Sequence, residues 1–209
     1  MSVEGVINYV DPAAPIGGIN DVEREKSTFS LIAHRMSIAD ARPRLAELDM
    51  ETSGFVLLER PTAVTDFTDP VLVEEVYLPE CAALVKELSG ADKVVVFGHV
   101  QRDGALKASP HLPVYNAHVD YNVETIRAVA ARLLSPEELE RRSGQRIVLI
   151  NVWRPIEPVE SAPLAVCDAS TVAREDLVFG PIGGKSAAGE SSVGGSASAL
   201  YAETLEMNA

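Results

Sequence analysis

The feature that most constrains this chain is the spacing of its short, β-branched apolar runs. KVVVFGH (93–99) and RIVLINVW (146–153) read as buried strands. GFVLLER (54–60), bounded by Gly54 and Pro61, reads as another, and PLAVCDA (163–169) as one more. Between them lie helical stretches with their own punctuation. In TDFTDPVLVEEVYLPECAALVKELSG, Asp69 can cap, Pro70 suits the first helical position and Gly90 can end the helix, while Pro79 should kink or split it. VETIRAVAARLL has apolar residues at helical spacing. Ser135 and Glu138 form a capping box, with Pro136 in the first turn and Gly144 as the stop. Strands and helices do not alternate regularly, so a doubly wound parallel sheet fits poorly. The expectation is a mainly β, α+β fold: a jelly-roll-like antiparallel barrel with flanking helices.

The 209 residues suit one domain. Residues 1–53 are polar and punctuated by Pro12, Pro15 and Gly17–Gly18, which predicts an irregular arm, then a short helix in SIADARPRLAEL. Residues 54–179 form the expected core. From Gly180 to Ala199, Gly, Ser and Ala supply 15 of 20 residues, a composition that predicts a flexible loop. Residues 200–209 regain alternation and predict a final strand. GPIGGKS is not a phosphate-binding loop: Phe179 stands where the first glycine of that motif belongs, and the following SAAGESSVGG is a poor helix.

A formal net charge of −13 opposes binding to phosphate backbones and anionic membranes, so no nucleic-acid partner is expected. No apolar run is long enough to span a bilayer, and MSVEGVINYV lacks the basic start of a signal peptide. Cys81 and Cys167 read as isolated thiols in a reducing cytoplasm, behaving as small apolar residues.

The chemical signal is NAHVDY. In an extended strand, residues two apart share a face, so the His118 imidazole and the Asp120 carboxylate can converge on one point. That is half of the two-His-one-carboxylate set that holds non-haem Fe(II) and leaves positions open for co-substrate and oxygen. The alternative is a surface histidine beside an aspartate that caps the helix starting near Asn122. His99 reads as a strand-end histidine or a pocket residue, His111 as a solvated loop residue, and His34 has no partner pattern. Trp153, following a buried strand, is expected to pack in the core.

The surrounding text resembles the hydroxylase/desaturase family of CmcJ-, NvfI- and AsaB-like enzymes. The resemblance runs from about Phe55 to Val178. It is carried by GFVLLERPTAVTDFTD, YLPECAALVKELSGADKVVVFGHVQR, PVYNAHVDY and RIVLINVWRPIEPVESAPLAVCDAS. It implies a double-stranded β-helix of the jelly-roll or cupin type, incomplete at the C-terminus. It also implies an Fe(II)- and 2-oxoglutarate-dependent oxygenase that hydroxylates or desaturates a small molecule in secondary metabolism. His118 and Asp120 match the family's first two iron ligands. Arg102 and Arg154 match motif arginines that can clamp a carboxylate of 2-oxoglutarate or substrate. For Arg154, a structural salt bridge to Glu157 or Glu160 is the competing reading. Tyr121 and Asn151 are candidate pocket residues, with His99.

The family's third ligand is a distal histidine followed by Arg and Trp, and no histidine follows His118 here. Two ligands are too few to hold Fe(II) against water. Three completions stay open: none, giving a non-catalytic accessory homologue; a ligand from Glu190, Glu203, Glu206 or His99; or a ligand from a second chain. An open sheet edge would invite such pairing, so a homo-oligomer or partner protein is one of the expectations.

Overall fold

In the computed structural model, the described residues are 2–11, 13, 20–21, 30–102, 115–160, 162–183, 194–199 and 205–208. His111, Glu190 and Glu203 lie outside them.

The segment expected to be an irregular arm instead holds the two longest strands. β1 (Ser2–Val10) pairs antiparallel with β3 (Leu31–Asp40), from Ser2 opposite Ala39 to Val10 opposite Leu31. β2 (Asn20–Asp21) lies between them in the chain. Period-2 alternation explains the pairing: along β3, His34, Met36 and Ile38 are covered while Arg35 and Ser37 are exposed. Tyr9 and Val10 are buried at the end of β1, and the Tyr9 ring meets His34 edge-on at 5.5 Å. The helix expected in SIADARPRLAEL is confined to a 3₁₀ segment, Arg42–Glu47, because SIAD completes β3.

The helices follow their punctuation. α1 (Pro70–Leu72) is capped by Asp69, which accepts the Val71 N–H at 2.8 Å. A π-helical turn, Val73–Tyr77, precedes α2 (Leu78–Ser89), so Pro79 falls in the first turn of α2. That placement avoids the lost bond of an interior proline. Gly90 ends α2 with φ of 65°, a left-handed conformation suited to glycine. α3 (Val123–Leu133) starts at Asn122, whose side chain accepts the Thr125 N–H at 2.8 Å in a reciprocal capping box. α4 (Pro136–Arg141) is capped by the Ser135 hydroxyl, which accepts the Glu138 N–H.

β4 (Leu164–Cys167) lies inside the expected strand, and β7 (Leu205–Asn208) inside the expected final one. They complete a four-stranded sheet in the order β1-β3-β7-β4. A second sheet, β2-β5-β6, contains β5 (Leu177–Gly183) and β6 (Gly194–Ala199), paired antiparallel. The Gly/Ser/Ala-rich stretch read as a flexible loop therefore begins and ends in strand. β3–β7 and β2–β5 are parallel pairs, so the sheets are mixed rather than wholly antiparallel.

Three of the runs expected to be strands, 54–60, 93–99 and 146–153, carry no ladder among the described residues. Their apolar side chains stay partly open to solvent, with Phe97 at 40% and Val148 at 51% exposure. β-propensity expresses fit to a paired, half-buried surface, and without a neighbouring strand it fixes no ladder. Trp153, also 40% exposed, is not the core residue expected. The buried cluster is Tyr9, Met36 and Ile38, with Ile7, Ala117, Ala165, Cys167, Val172 and Leu177 packed on it.

Candidate functional site

The strand pair at the N-terminus positions the chemical residues. Asn8 of β1 accepts the Ala117 N–H at 2.9 Å through its carbonyl and donates its own N–H to the Tyr115 carbonyl at 3.1 Å. This parallel bridge and the packing of Ala117 on the core hold the residues just before His118. On the other side, the Asn122 cap starts α3 two residues after Asp120. The His-x-Asp segment is thus clamped between a sheet edge and a helix start.

His118 and Asp120 do converge. His118 Nε2 lies 3.1 Å from Asp120 Oδ1, and Nδ1 faces the Asn116 carbonyl at 2.8 Å. The second carboxylate oxygen, Asp120 Oδ2, accepts the Asn151 amide N–H at 2.7 Å. Both ring nitrogens therefore face acceptors. The hydrogen bond to Asp120 raises the His118 pKa, the Asn116 carbonyl adds to the effect, and burial and the Arg102 charge oppose it. The bond from His118 lowers the Asp120 pKa against burial, with Asn151 and Arg102 helping. His118 and Asp120 side chains are 32% and 43% exposed, so the pair sits at an opening, not in the interior.

Arg102 acts electrostatically on both members of the pair. Tyr121 packs edge-on to Phe97 with centroids 6.5 Å apart, and burial raises its phenol pKa. An open cleft of about 320 Å³ runs beside Asp120, lined by Tyr121, Ile126, Arg146, Ile147, Val148 and Asn151 among others. Sequence reading did not single out Arg146, which looked like the polar start of a strand.

Arg154 is held elsewhere. Its Nη2 donates to the Arg60 carbonyl at 2.7 Å, and its guanidinium lies 5.8 Å from the centre of the Tyr77 ring. No bond joins it to Glu157 or Glu160, the salt-bridge partners considered above, or to the His118–Asp120 pair. Its buried Nε has no hydrogen-bond partner among the described residues. His99 is exposed and unbonded to the pair. Cys81 and Cys167 are half-buried free thiols, and burial pushes both upward in pKa.

The donor set suits a metal in kind. A carbonyl on Nδ1 fixes the imidazole so that Nε2 points at the carboxylate, and a cation can replace the Nε2 proton. In number it reaches two: among the described residues no group of three His, Cys, Asp or Glu side chains converges. Among those residues, too, no helix is long and apolar enough to cross a membrane.

Known proteins are similar to this chain in sequence and in fold. The alpha-ketoglutarate-dependent dioxygenase phiK of Fungal sp. (strain ATCC 74256) is 31% identical over 186 residues, 84% of this chain and 66% of that protein. The Fe(II)/2-oxoglutarate-dependent dioxygenase nvfI of Aspergillus novofumigatus is 31% identical over 165 residues, 73% of this chain and 57% of that protein. This chain therefore spans two thirds or less of these relatives' length. The solved structure of the iron and alpha-ketoglutarate-dependent endoperoxidase NvfI superposes with a TM-score of 0.79 at 23% identity. That match covers 99% of this chain and 79% of that one, and shows a shared fold. A family model described as the oxidoreductase/YMDC permease-like domain matches residues 7–192, starting within β1 and so reaching further than the resemblance from Phe55 to Val178. The chain is similar to proteins named as dioxygenases and a hydroxylase/desaturase, and it belongs to that oxidoreductase/YMDC permease-like domain family.

Proposed function

We propose that this chain forms the larger part of an Fe(II)- and 2-oxoglutarate-dependent oxygenase that hydroxylates or desaturates a small molecule of secondary metabolism. The observation that carries the reading is the 3.1 Å approach of His118 Nε2 to Asp120 Oδ1, with each group fixed from behind by the Asn116 carbonyl or the Asn151 amide. His118 and Asp120 would hold the metal. Arg102, within electrostatic reach of both, is the candidate partner for the 2-oxoglutarate carboxylate. Arg154 has a free buried N–H for the same task but is anchored on Arg60 and Tyr77. Fe(II) with 2-oxoglutarate, when bound, would activate dioxygen, the oxidant that attacks an unactivated C–H bond while 2-oxoglutarate gives up two electrons on decarboxylation. The chain's own residues orient the two ligands and line the substrate cleft.

The names of the relatives, which are dioxygenases, a hydroxylase/desaturase and an endoperoxidase, support the enzyme over the accessory-subunit reading. The third ligand remains for Glu190, Glu203, Glu206, His99 or a second chain. Glu206 lies on β7, opposite Val166 of β4. The likeness to NvfI supports a jelly-roll, in which β1 and β3 share a sheet with β4 and β7 and carry the buried cluster of Tyr9, Met36 and Ile38. Two free thiols are consistent with a cytoplasmic location.

The test is anaerobic titration with Fe(II), then 2-oxoglutarate. We expect the weak visible charge-transfer band of the chelate and loss of iron binding in His118→Ala. Absence of the band together with unchanged iron binding in that variant refutes the proposal.

A further inference from the structure

The cleft beside Asp120 has a composition the metal pair does not explain. Its volume of about 320 Å³ is at the small end of ligand sites, which run from about 300 to 1,000 Å³. Ile126, Ile147, Val148 and Leu149 give it an apolar wall. Of the two charged residues lining it, Asp120 is already engaged by His118 and Asn151. The other is Arg146, the one cation of the lining.

Arg146 is paired, but loosely. Its Nη1 lies 2.7 and 2.9 Å from the two oxygens of Glu51. The two side chains are 67% and 68% exposed, and ion pairs in that much water are weak. One nitrogen makes both bonds, which leaves the other N–H donors of the planar fork for a second carboxylate. The Glu51 backbone is tied down, its N–H donating to Asp49 Oδ1 at 2.7 Å, while its carboxylate is held only by Arg146. The stretch 146–156 contains Arg146 and Arg154 and no acidic residue, in a chain of net charge −13. In the cleft itself the cation of this stretch is Arg146, and an incoming carboxylate competes with Glu51 for it.

We propose that the cleft takes an apolar carboxylic acid. Its carboxylate is held by Arg146, and its hydrocarbon body lies on Ile126, Ile147, Val148 and Leu149 toward Asp120. The inference rests on the oxygenase reading only in using the same cleft, and names the substrate class for it. A carboxylate at Arg146 has a second source in 2-oxoglutarate, and competition separates the two.

The experiment is calorimetric titration of the metal-free protein with decanoate, its neutral isostere decanamide, and 2-oxoglutarate. We expect decanoate to bind at least about tenfold more tightly than decanamide. Arg146→Gln should bring the two within about twofold, Arg146→Lys should keep part of the difference, and Glu51→Gln should strengthen decanoate binding about threefold. The proposal is overturned if the wild-type protein does not prefer the acid, whether it binds both probes equally or neither. It is overturned equally if Arg146→Gln keeps the preference, or if 2-oxoglutarate displaces decanoate and suffers the same loss in that variant. Because no iron is present, failure here leaves the Fe(II) titration of His118→Ala to judge the oxygenase reading separately.

Discussion

Replacing Asn151 by leucine removes one hydrogen bond from the site while keeping nearly the same volume. In the native chain its amide N–H reaches Asp120 Oδ2 at 2.7 Å, from a position 31 residues further along. A hydrogen bond to a charged group contributes roughly 1.5–3 kcal/mol. Asp120 is 43% exposed, so water replaces part of that, leaving about 1 kcal/mol. The consequence falls on the ligand carboxylate, which loses both an orienting contact and one cause of its lowered pKa. About 1 kcal/mol corresponds to roughly fivefold in an equilibrium constant, and supporting contacts of metal ligands often matter by somewhat more. The expected outcome is therefore about a five- to tenfold weaker Fe(II) affinity at neutral pH.

The assay is anaerobic Fe(II) titration of both proteins, with thermal unfolding of the metal-free forms as a control. Asn151→Asp sharpens it, because a second carboxylate beside Asp120 replaces a donor with a repelling acceptor and should raise the Asp120 pKa. Unchanged Fe(II) affinity in Asn151→Leu with a lowered melting temperature would refute the reasoning, since Asn151 would then support packing and not the ligand.

Three further outcomes are expected. In the metal-free protein, the raised His118 pKa gives stability that is full below about 6.5 and lost as pH rises through the folded value. The lowered Asp120 pKa gives stability present above its unperturbed 3.8 and lost as pH falls through the folded value. The pair therefore stabilises most between about pH 4 and 6.5, while Fe(II) affinity rises toward higher pH as the Nε2 proton leaves. Melting temperatures of wild type and His118→Gln across pH, with parallel Fe(II) titrations, check both slopes. Asn8→Pro deletes the N–H that bonds the Tyr115 carbonyl, at a cost of about 1 kcal/mol, and should weaken Fe(II) binding; hydrogen exchange at 115–120 would register the loosening. Asn122→Ala removes the α3 cap and should destabilise by about 1 kcal/mol, measured by urea unfolding.

What could be read from the sequence was what is encoded locally. The Asp69, Asn122 and Ser135 helix starts and the Gly90 stop depend on neighbours within four residues, and the structure follows them. The likeness of His118 and Asp120 to a ligand pair is equally local, two residues in one extended segment, and the two side chains meet. Pairing across the chain was not legible. β1 and β3 were hidden because glycine and proline between them resembled an arm, although His34, Met36 and Ile38 carry the alternation that buries one face. Arg146 escaped notice because Glu51 is 95 residues away, and nothing near Arg146 in sequence marks it as facing a cleft. The reverse error has the same origin. KVVVFGH and RIVLINVW have the composition of strands, but a ladder forms between segments, and no partner meets them among the described residues. Their exposed valines, isoleucines and aromatics lie close in sequence to Arg102, Asn151 and Arg154.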